Sequence, residues 1–177
     1  MNVQQQQSLI ISQQQSNLKP FTYQIIKEHS IKQREYCGAI AFNKDSSIVA
    51  SGCENQIKIY EFKQGILKLI QVLNQHNSAV STLNFMKKSN QFISGDRSGS
   101  ILIWSSNNNT QWNCSQTIQG HNSWVSCLIL NINEDIFISS SYDKTIKFWV
   151  KQNEWICQQT ITDHTHYVKQ ISLNEQQ

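Results

Sequence analysis

The stretch GHNSWVSCLILNINEDIFISSSYDKTIKFW, residues 120–149, decides the fold. It holds two short runs rich in β-branched and aromatic residues, VSCLIL (125–130) and IFISS (136–140), around a polar NINED turn. A Tyr142-Asp143-Lys144 turn then leads into TIKFW (145–149). Such runs between turn residues read as β-strands, and no long segment places apolar residues at i, i+3, i+4 and i+7 as a helix would. His121, Ser139 and Asp143 fall within this stretch and admit two readings, a hydrolase triad or a buried structural network. A triad needs an exposed serine on a strained turn with oxyanion donors beside it. The chain has no Gly-x-Ser-x-Gly, and Ser139 sits inside a strand, so the residues favour the structural network.

The pattern recurs on both sides. IKIY (57–60), ILIW (101–104) and IKFW (146–149) align, with Tyr60, Trp104 and Trp149 separated by 44 and 45 residues. His76, His121 and His164 recur at 45 and 43. CGAIAF (37–42) and VSTLNF (80–85) match VSCLIL, IVASG (48–52) and QFISG (91–95) match IFISS, and KLIQVL, CSQTIQ and CQQTIT close the three units. The expectation is four short strands per unit. A period of 40–45 residues with four strands per unit marks a propeller-type repeat.

On these residues the chain resembles the WD-repeat (WD40) β-propeller family, most fully over 120–149, which runs from a Gly-His opening to a closing Trp. The resemblance implies an all-β fold: a propeller fragment of about three four-stranded antiparallel blades in an open arc. A leading strand, FTYQII (21–26), and a trailing inner strand, YVKQISL (167–173), flank them. The expected organisation is a Gln-rich disordered leader over 1–20 and a partial propeller over 21–173. Its units fall at about 30–75, 76–120 and 121–163, with an incomplete one at 164–173. The chain then reads as the N-terminal portion of a longer propeller. The resemblance also assigns a hydrogen-bonded tetrad to His121, Ser139, Asp143 and Trp149. The second unit offers a partial set, His76, Ser94 and Trp104, with Ser98 at the acid position and Asp96 two residues earlier. The first unit departs further: Tyr60 replaces the Trp, and only Ser51, Glu54 and His29 are at hand. No unit has Asp after its aromatic, where Glu61, Ser105 and Val150 stand.

Composition narrows the function. Of 177 residues, 38% are apolar and 15% charged, and 23 Gln with 17 Asn fill the gap. That amide bias fits either a disordered, sticky segment or an AT-rich genome. A net charge of +3 is too small to indicate nucleic acid or a membrane surface as partner, and no apolar run approaches the roughly 20 residues of a spanning helix. The five cysteines contain no Cys-x-x-Cys pair, which argues against a metal site or disulfide framework and for reduced thiols in an intracellular setting, the cytoplasm ahead of the nucleus. Neither a cofactor nor a catalytic centre is expected.

What the resemblance implies is a non-catalytic scaffold or adaptor, part of a multiprotein complex, that binds other proteins through the loop face carrying the His loops and acid turns. On that face the residue before each inner strand is Tyr36, Ala79, Trp124 and Tyr167, and the residue before the turn acid is Tyr142, with Arg97 in the equivalent place. Tyr36, Arg97, Trp124, Tyr142 and Tyr167 are therefore the partner-binding candidates, since Trp, Tyr and Arg dominate interface energetics. Simple packing against adjoining blades is the alternative for Trp124 and Tyr142. Two narrower roles stay open. The Trp-x-Cys spacing of WNCSQTIQGH (112–121) and WICQQTITDH (155–164) is similar to that of the WD-repeat adaptor of cytosolic iron–sulfur protein assembly. A substrate-receptor or regulatory subunit of a larger enzyme complex is the other.

Overall fold

The computed structural model describes Thr22 and residues 30–174. The chain divides into Met1–Ser30 and Ile31–Gln177, and every element below belongs to the second unit. The expected leader (1–20), the leading strand FTYQII and His29 lie outside the described residues, Thr22 excepted.

Twelve strands form among the described residues. Sheet 1 comprises β1 (Cys37–Phe42), β2 (Ile48–Cys53), β3 (Gln56–Lys63) and β4 (Ile66–Leu73). Sheet 2 holds β5 (Val80–Phe85), β6 (Gln91–Asp96), β7 (Ser100–Ser106) and β8 (Trp112–Gln119). Sheet 3 holds β9 (Val125–Leu130), β10 (Ile136–Ser141), β11 (Ile146–Lys151) and β12 (Trp155–Ile161). Each is an antiparallel meander in chain order, because each connection is a tight turn with its own chemistry. Asn43 Oδ1 accepts the Ile48 N–H at 2.9 Å and Asn131 Oδ1 the Ile136 N–H at 3.1 Å, closing the first turns of sheets 1 and 3. Gln64 and Gly65, both at positive φ, make the two-residue β3–β4 hairpin, where such backbone matches strand twist.

The three sheets share their irregularities. A register break lies at the same inner position in each first pair, between Cys37/Ala39, Val80/Thr82 and Ser140/Ser141. A second falls just before each aromatic, between Ile59/Tyr60, Ile103/Trp104 and Phe148/Trp149. Tyr60 is thus the structural counterpart of the two tryptophans.

Sheet 2 is packed between the other two. Strand alternation sends one row of each sheet to one neighbour and the next row to the other. Ala50, Ile57 and Ile59 of sheet 1 meet Phe85, Phe92, Leu102, Trp104 and Trp112 of sheet 2. On its other face, Ile93, Ile101 and Ile103 meet Val125, Phe137, Trp149 and Trp155 of sheet 3. Close approach at the inner edge requires Gly95, since a Cβ there would lie 2.7 Å from Val125 Cβ.

Glutamines lock the outer edges. Gln71 Nε2 donates to Trp112 O at 2.8 Å while Gln71 Oε1 accepts the Trp112 N–H at 2.7 Å. Gln116 repeats this two-point clamp on Trp155, both bonds at 2.9 Å. Inner strands are tied likewise: Ser81 Oγ donates to Val125 O and Ser126 Oγ to Val168 O, each at 2.5 Å.

One expectation needs correction. YVKQISL (167–173) forms no strand. Besides the Ser126 bond, it is held by Val168 N–H donating to Ser141 O at 3.2 Å and by the Cys127 thiol on Ile171 O. These are isolated side-chain and turn contacts, and a strand needs a ladder of backbone bonds to a neighbour.

Candidate functional site

His121, Ser139, Asp143 and Trp149 come together as one hydrogen-bonded chain. Trp149 Nε1–H donates to Ser139 Oγ at 2.8 Å, and Ser139 Oγ lies 2.7 Å from His121 Nε2. His121 Nδ1 lies 2.9 Å from Asp143 Oδ2. A neutral ring satisfies every atom: Nδ1–H donates to the carboxylate and Nε2 accepts the serine proton. Burial lowers the His121 pKa below its ordinary value, with Asp143 opposing, which suits the neutral form. Burial also acts to raise the Asp143 carboxyl. The Thr145 hydroxyl, the Asn122 N–H and His121 outweigh it, and the pKa falls to about 2. Ser139 has no exposed surface, and its oxygen is engaged on both sides, so no substrate carbonyl can reach it.

Sheet 2 contains a complete network where the sequence indicated an incomplete one. His76, Ser94 and Trp104 repeat the sheet 3 distances, 2.7 Å from His76 Nε2 to Ser94 Oγ and 2.8 Å from Trp104 Nε1 to Ser94 Oγ. The carboxylate is Asp96, whose Oδ2 lies 2.9 Å from His76 Nδ1. Its Oδ1 accepts from Ser98 N–H, Ser98 Oγ and Ser100 N–H at 2.9, 2.7 and 3.0 Å. Burial pushes the Asp96 carboxyl up, but these bonds and His76 hold it below the ordinary carboxylate value. Sheet 1 differs: Ser51 Oγ lies 3.3 Å from Cys53 Sγ, and the buried aromatic is Tyr60.

The five candidates Tyr36, Arg97, Trp124, Tyr142 and Tyr167 form one continuous stack at the loop end bearing these networks. The Arg97 guanidinium carbon lies 5.4 Å from the Tyr36 ring centre and 4.1 Å from that of Trp124. Trp124 stacks on Tyr142 at 5.1 Å and 19°, and Tyr142 on Tyr167 at 4.7 Å and 1°. The backbone explains the alignment. Within each sheet the turn residue's N–H donates to the carbonyl before the inner strand: Glu54 to Tyr36, Arg97 to Ala79, Tyr142 to Trp124, at 3.0, 3.0 and 2.9 Å. The Arg97 side chain then lies on Trp124, just before β9 of sheet 3, and Tyr142 on Tyr167 of the segment that follows sheet 3. Tyr36 and Tyr167 are 61% and 58% exposed, and Trp124 36%.

Beside the stack is a cavity of about 180 Å³ lined by Tyr36, Ser81, Arg97, Trp124, Ser126 and Lys169 among others. Lys169 carried no signal in the sequence. Among the described residues no group of three or more His, Cys, Asp or Glu could hold a metal ion, and no helix is long and apolar enough to cross a membrane.

The three sheets, their shared register breaks and the repeated His–Ser–Trp networks define propeller blades, and comparison with known proteins agrees. The chain belongs to the WD domain, G-beta repeat family, whose model matches residues 23–61, 67–105 and 112–150. It is similar to the THO complex subunit 6 homolog of Danio rerio, 27% identical over 108 residues, 57% of this chain and 33% of that protein. It is also similar to pre-mRNA-processing factor 19 of Oryza sativa subsp. japonica, 20% identical over 130 residues, 72% of this chain and 24% of that protein. The chain thus spans a third or less of the length of these relatives. In fold it resembles a chain of the Mitotic Checkpoint Complex crystal structure, with a TM-score of 0.71 at 23% identity, covering 83% of this chain and 43% of that one.

Proposed function

We propose that the chain is a non-catalytic protein-interaction scaffold, and that its partners dock on the face formed by Tyr36, Arg97, Trp124, Tyr142 and Tyr167. The observation that carries this reading is the continuous stack itself. Five large side chains of the types that anchor interfaces are lined up across three blades. Each is fixed by its neighbour before any partner arrives, so little side-chain freedom is lost on binding. The serines and histidines of the two complete networks serve the fold: both networks are buried and internally satisfied, so neither offers a nucleophile or an acid–base pair to solvent.

Packing gives a role to the two tryptophans of the Trp-x-Cys spacing and to the cysteine of its first copy, while Cys157 of the second is exposed. Trp112 and Trp155 are buried between blades, Cys114 packs against the same core, and the Gln two places further on clamps the next blade in the case of Gln116. The scaffold reading is tested by affinity capture of the tagged full gene product beside its Trp124→Ala/Tyr142→Ala variant. The double variant should retain wild-type circular dichroism and lose its captured partners by tenfold or more. Equal capture by both proteins moves the docking site elsewhere.

A further inference from the structure

Resting on that docking face, we infer that the partner segment it takes is an acidic peptide, whose carboxylates seat on the Arg97 guanidinium with Lys169 beside it. Arg97 is half-buried between the Tyr36 and Trp124 rings, yet its guanidinium makes no hydrogen bond or ion pair to any described residue. Its carbon lies 5.4 Å from the centre of the Tyr36 ring and 4.1 Å from that of the Trp124 ring. The N–H donors lie in the guanidinium plane, and a carboxylate meets them there in the two-point geometry arginine favours. The cavity beside them is lined by two cations, Arg97 and Lys169, and by no acidic side chain. Nearby carboxylates are occupied: Asp96 and Asp143 hold His76 and His121, and Glu35 is paired with Lys58. Glu54 holds the equivalent turn position in sheet 1 but does not line the cavity.

The aromatic rings reinforce the preference. In a stack the electron-rich ring faces are turned on one another, and the electropositive edges are what remain. Trp124 is covered on one face by Arg97 and on the other by Tyr142, and Tyr142 by Trp124 and Tyr167. A nucleic-acid base needs a free ring face to stack on, and of the five side chains only the end rings, Tyr36 and Tyr167, offer one, away from the guanidinium between them. The fork and Lys169 therefore favour a carboxylate in plane, and single-stranded RNA is the competing occupant that labelled probes separate.

The test is fluorescence anisotropy of the 177-residue chain with four labelled probes: a Glu/Gly decapeptide, the same peptide with Gln for Glu, the same with Lys for Glu, and a ten-nucleotide uridine RNA. The Glu peptide should bind at least tenfold more tightly than the Gln peptide and the RNA, with the Lys peptide not binding. Arg97→Gln should weaken it by tenfold or more. Arg97→Lys should restore only part, having charge without the fork. Lys169→Gln, outside the stack, should weaken it by about threefold while circular dichroism stays unchanged. No binding of the Glu peptide, equal binding of the Glu and Gln peptides, tighter binding of the RNA, or no effect of Arg97→Gln and Lys169→Gln each overturns the inference. Partner capture lost in Trp124→Ala/Tyr142→Ala but kept in Arg97→Gln would leave the docking face standing and remove only its acidic ligand.

Discussion

Asp96→Ala is the perturbation that most sharply probes how the second blade is held. The Asp96 side chain is fully buried and accepts four hydrogen bonds, from His76, the Ser98 N–H and hydroxyl, and the Ser100 N–H. Removing it strands the His76 Nδ1–H, which is itself buried. It also releases the turn that starts β7. Each buried donor left without its acceptor costs about 1–3 kcal/mol, so stranding the His76 ring together with the turn donors amounts to about 3–5 kcal/mol. A small domain has only about 5–15 kcal/mol in total, so the loss is a large share. Ser98→Ala deletes an exposed hydroxyl that bonds Asp96 at 2.7 Å and, more weakly, the Ser100 hydroxyl at 3.3 Å, a loss of about 0.5–1.5 kcal/mol. Had the acid position of the repeat governed, Ser98 would be the sensitive residue. Urea unfolding followed by tryptophan fluorescence reads the difference, with Asp96→Asn, which keeps the side-chain volume and one acceptor, expected between the two. A gap below about 1 kcal/mol between Asp96→Ala and Ser98→Ala refutes the assignment of Asp96 as the second blade's carboxylate.

Three further outcomes follow from the same geometry. Acid should destabilise the fold in two steps. The folded pKa of His121 is lowered, so its contribution is full above the unfolded value near 6.5 and is lost as pH falls through the folded one. That of Asp143 is full above about 4 and lost as pH falls towards about 2. The urea midpoint should therefore drop from pH 7 to pH 3, and Asp143→Asn should shrink the lower step, to which Asp96 also contributes. Gly95→Ala should cost about 1–3 kcal/mol by overpacking, because its Cβ would meet Val125 at 2.7 Å; an unchanged denaturation midpoint would show that the inner edge has slack. Thiol labelling followed by mass spectrometry should modify the exposed Cys157 first and the buried Cys53 last. Burial and the Cys37 thiol push the Cys53 pKa up to about 11, and equal rates would contradict that environment.

Much of this was legible in the chain because strands alternate and blades repeat. The 44- and 45-residue spacing of Tyr60, Trp104 and Trp149 marks the third strand of each blade, and the resemblance to the WD-repeat family that this period supports assigns the His121–Ser139–Asp143–Trp149 set. Asp96 was harder to place, since it ends a strand while Asp143 lies in a turn. The available signal was that residues two apart on a strand share a face, so Asp96, the last residue of β6, points to the same side as Ser94 and reaches the same histidine. The clamps of Gln71 and Gln116 were hidden by the general amide excess, although Trp-x-Cys-x-Gln occurs twice (112–116 and 155–159). The alternation in YVKQISL suggested a strand, but alternation records only which side faces inward, and a ladder also needs a partner. The stack joins residues from different blades, and its continuity depends on blade spacing, which no single repeat encodes.

The central claim is that partners meet the stacked face. The measurement that tests it most directly is site-specific photocrosslinking of the full gene product in its own cells. One benzoylphenylalanine is introduced at a time, at Tyr36 or Tyr167 on that face, and at Lys88 or Asn109 in loops at the opposite end of the strands. Partner adducts should form from positions 36 and 167 and be at least tenfold weaker from 88 and 109. Adducts that form equally from both ends, or mainly from 88 and 109, would contradict the account.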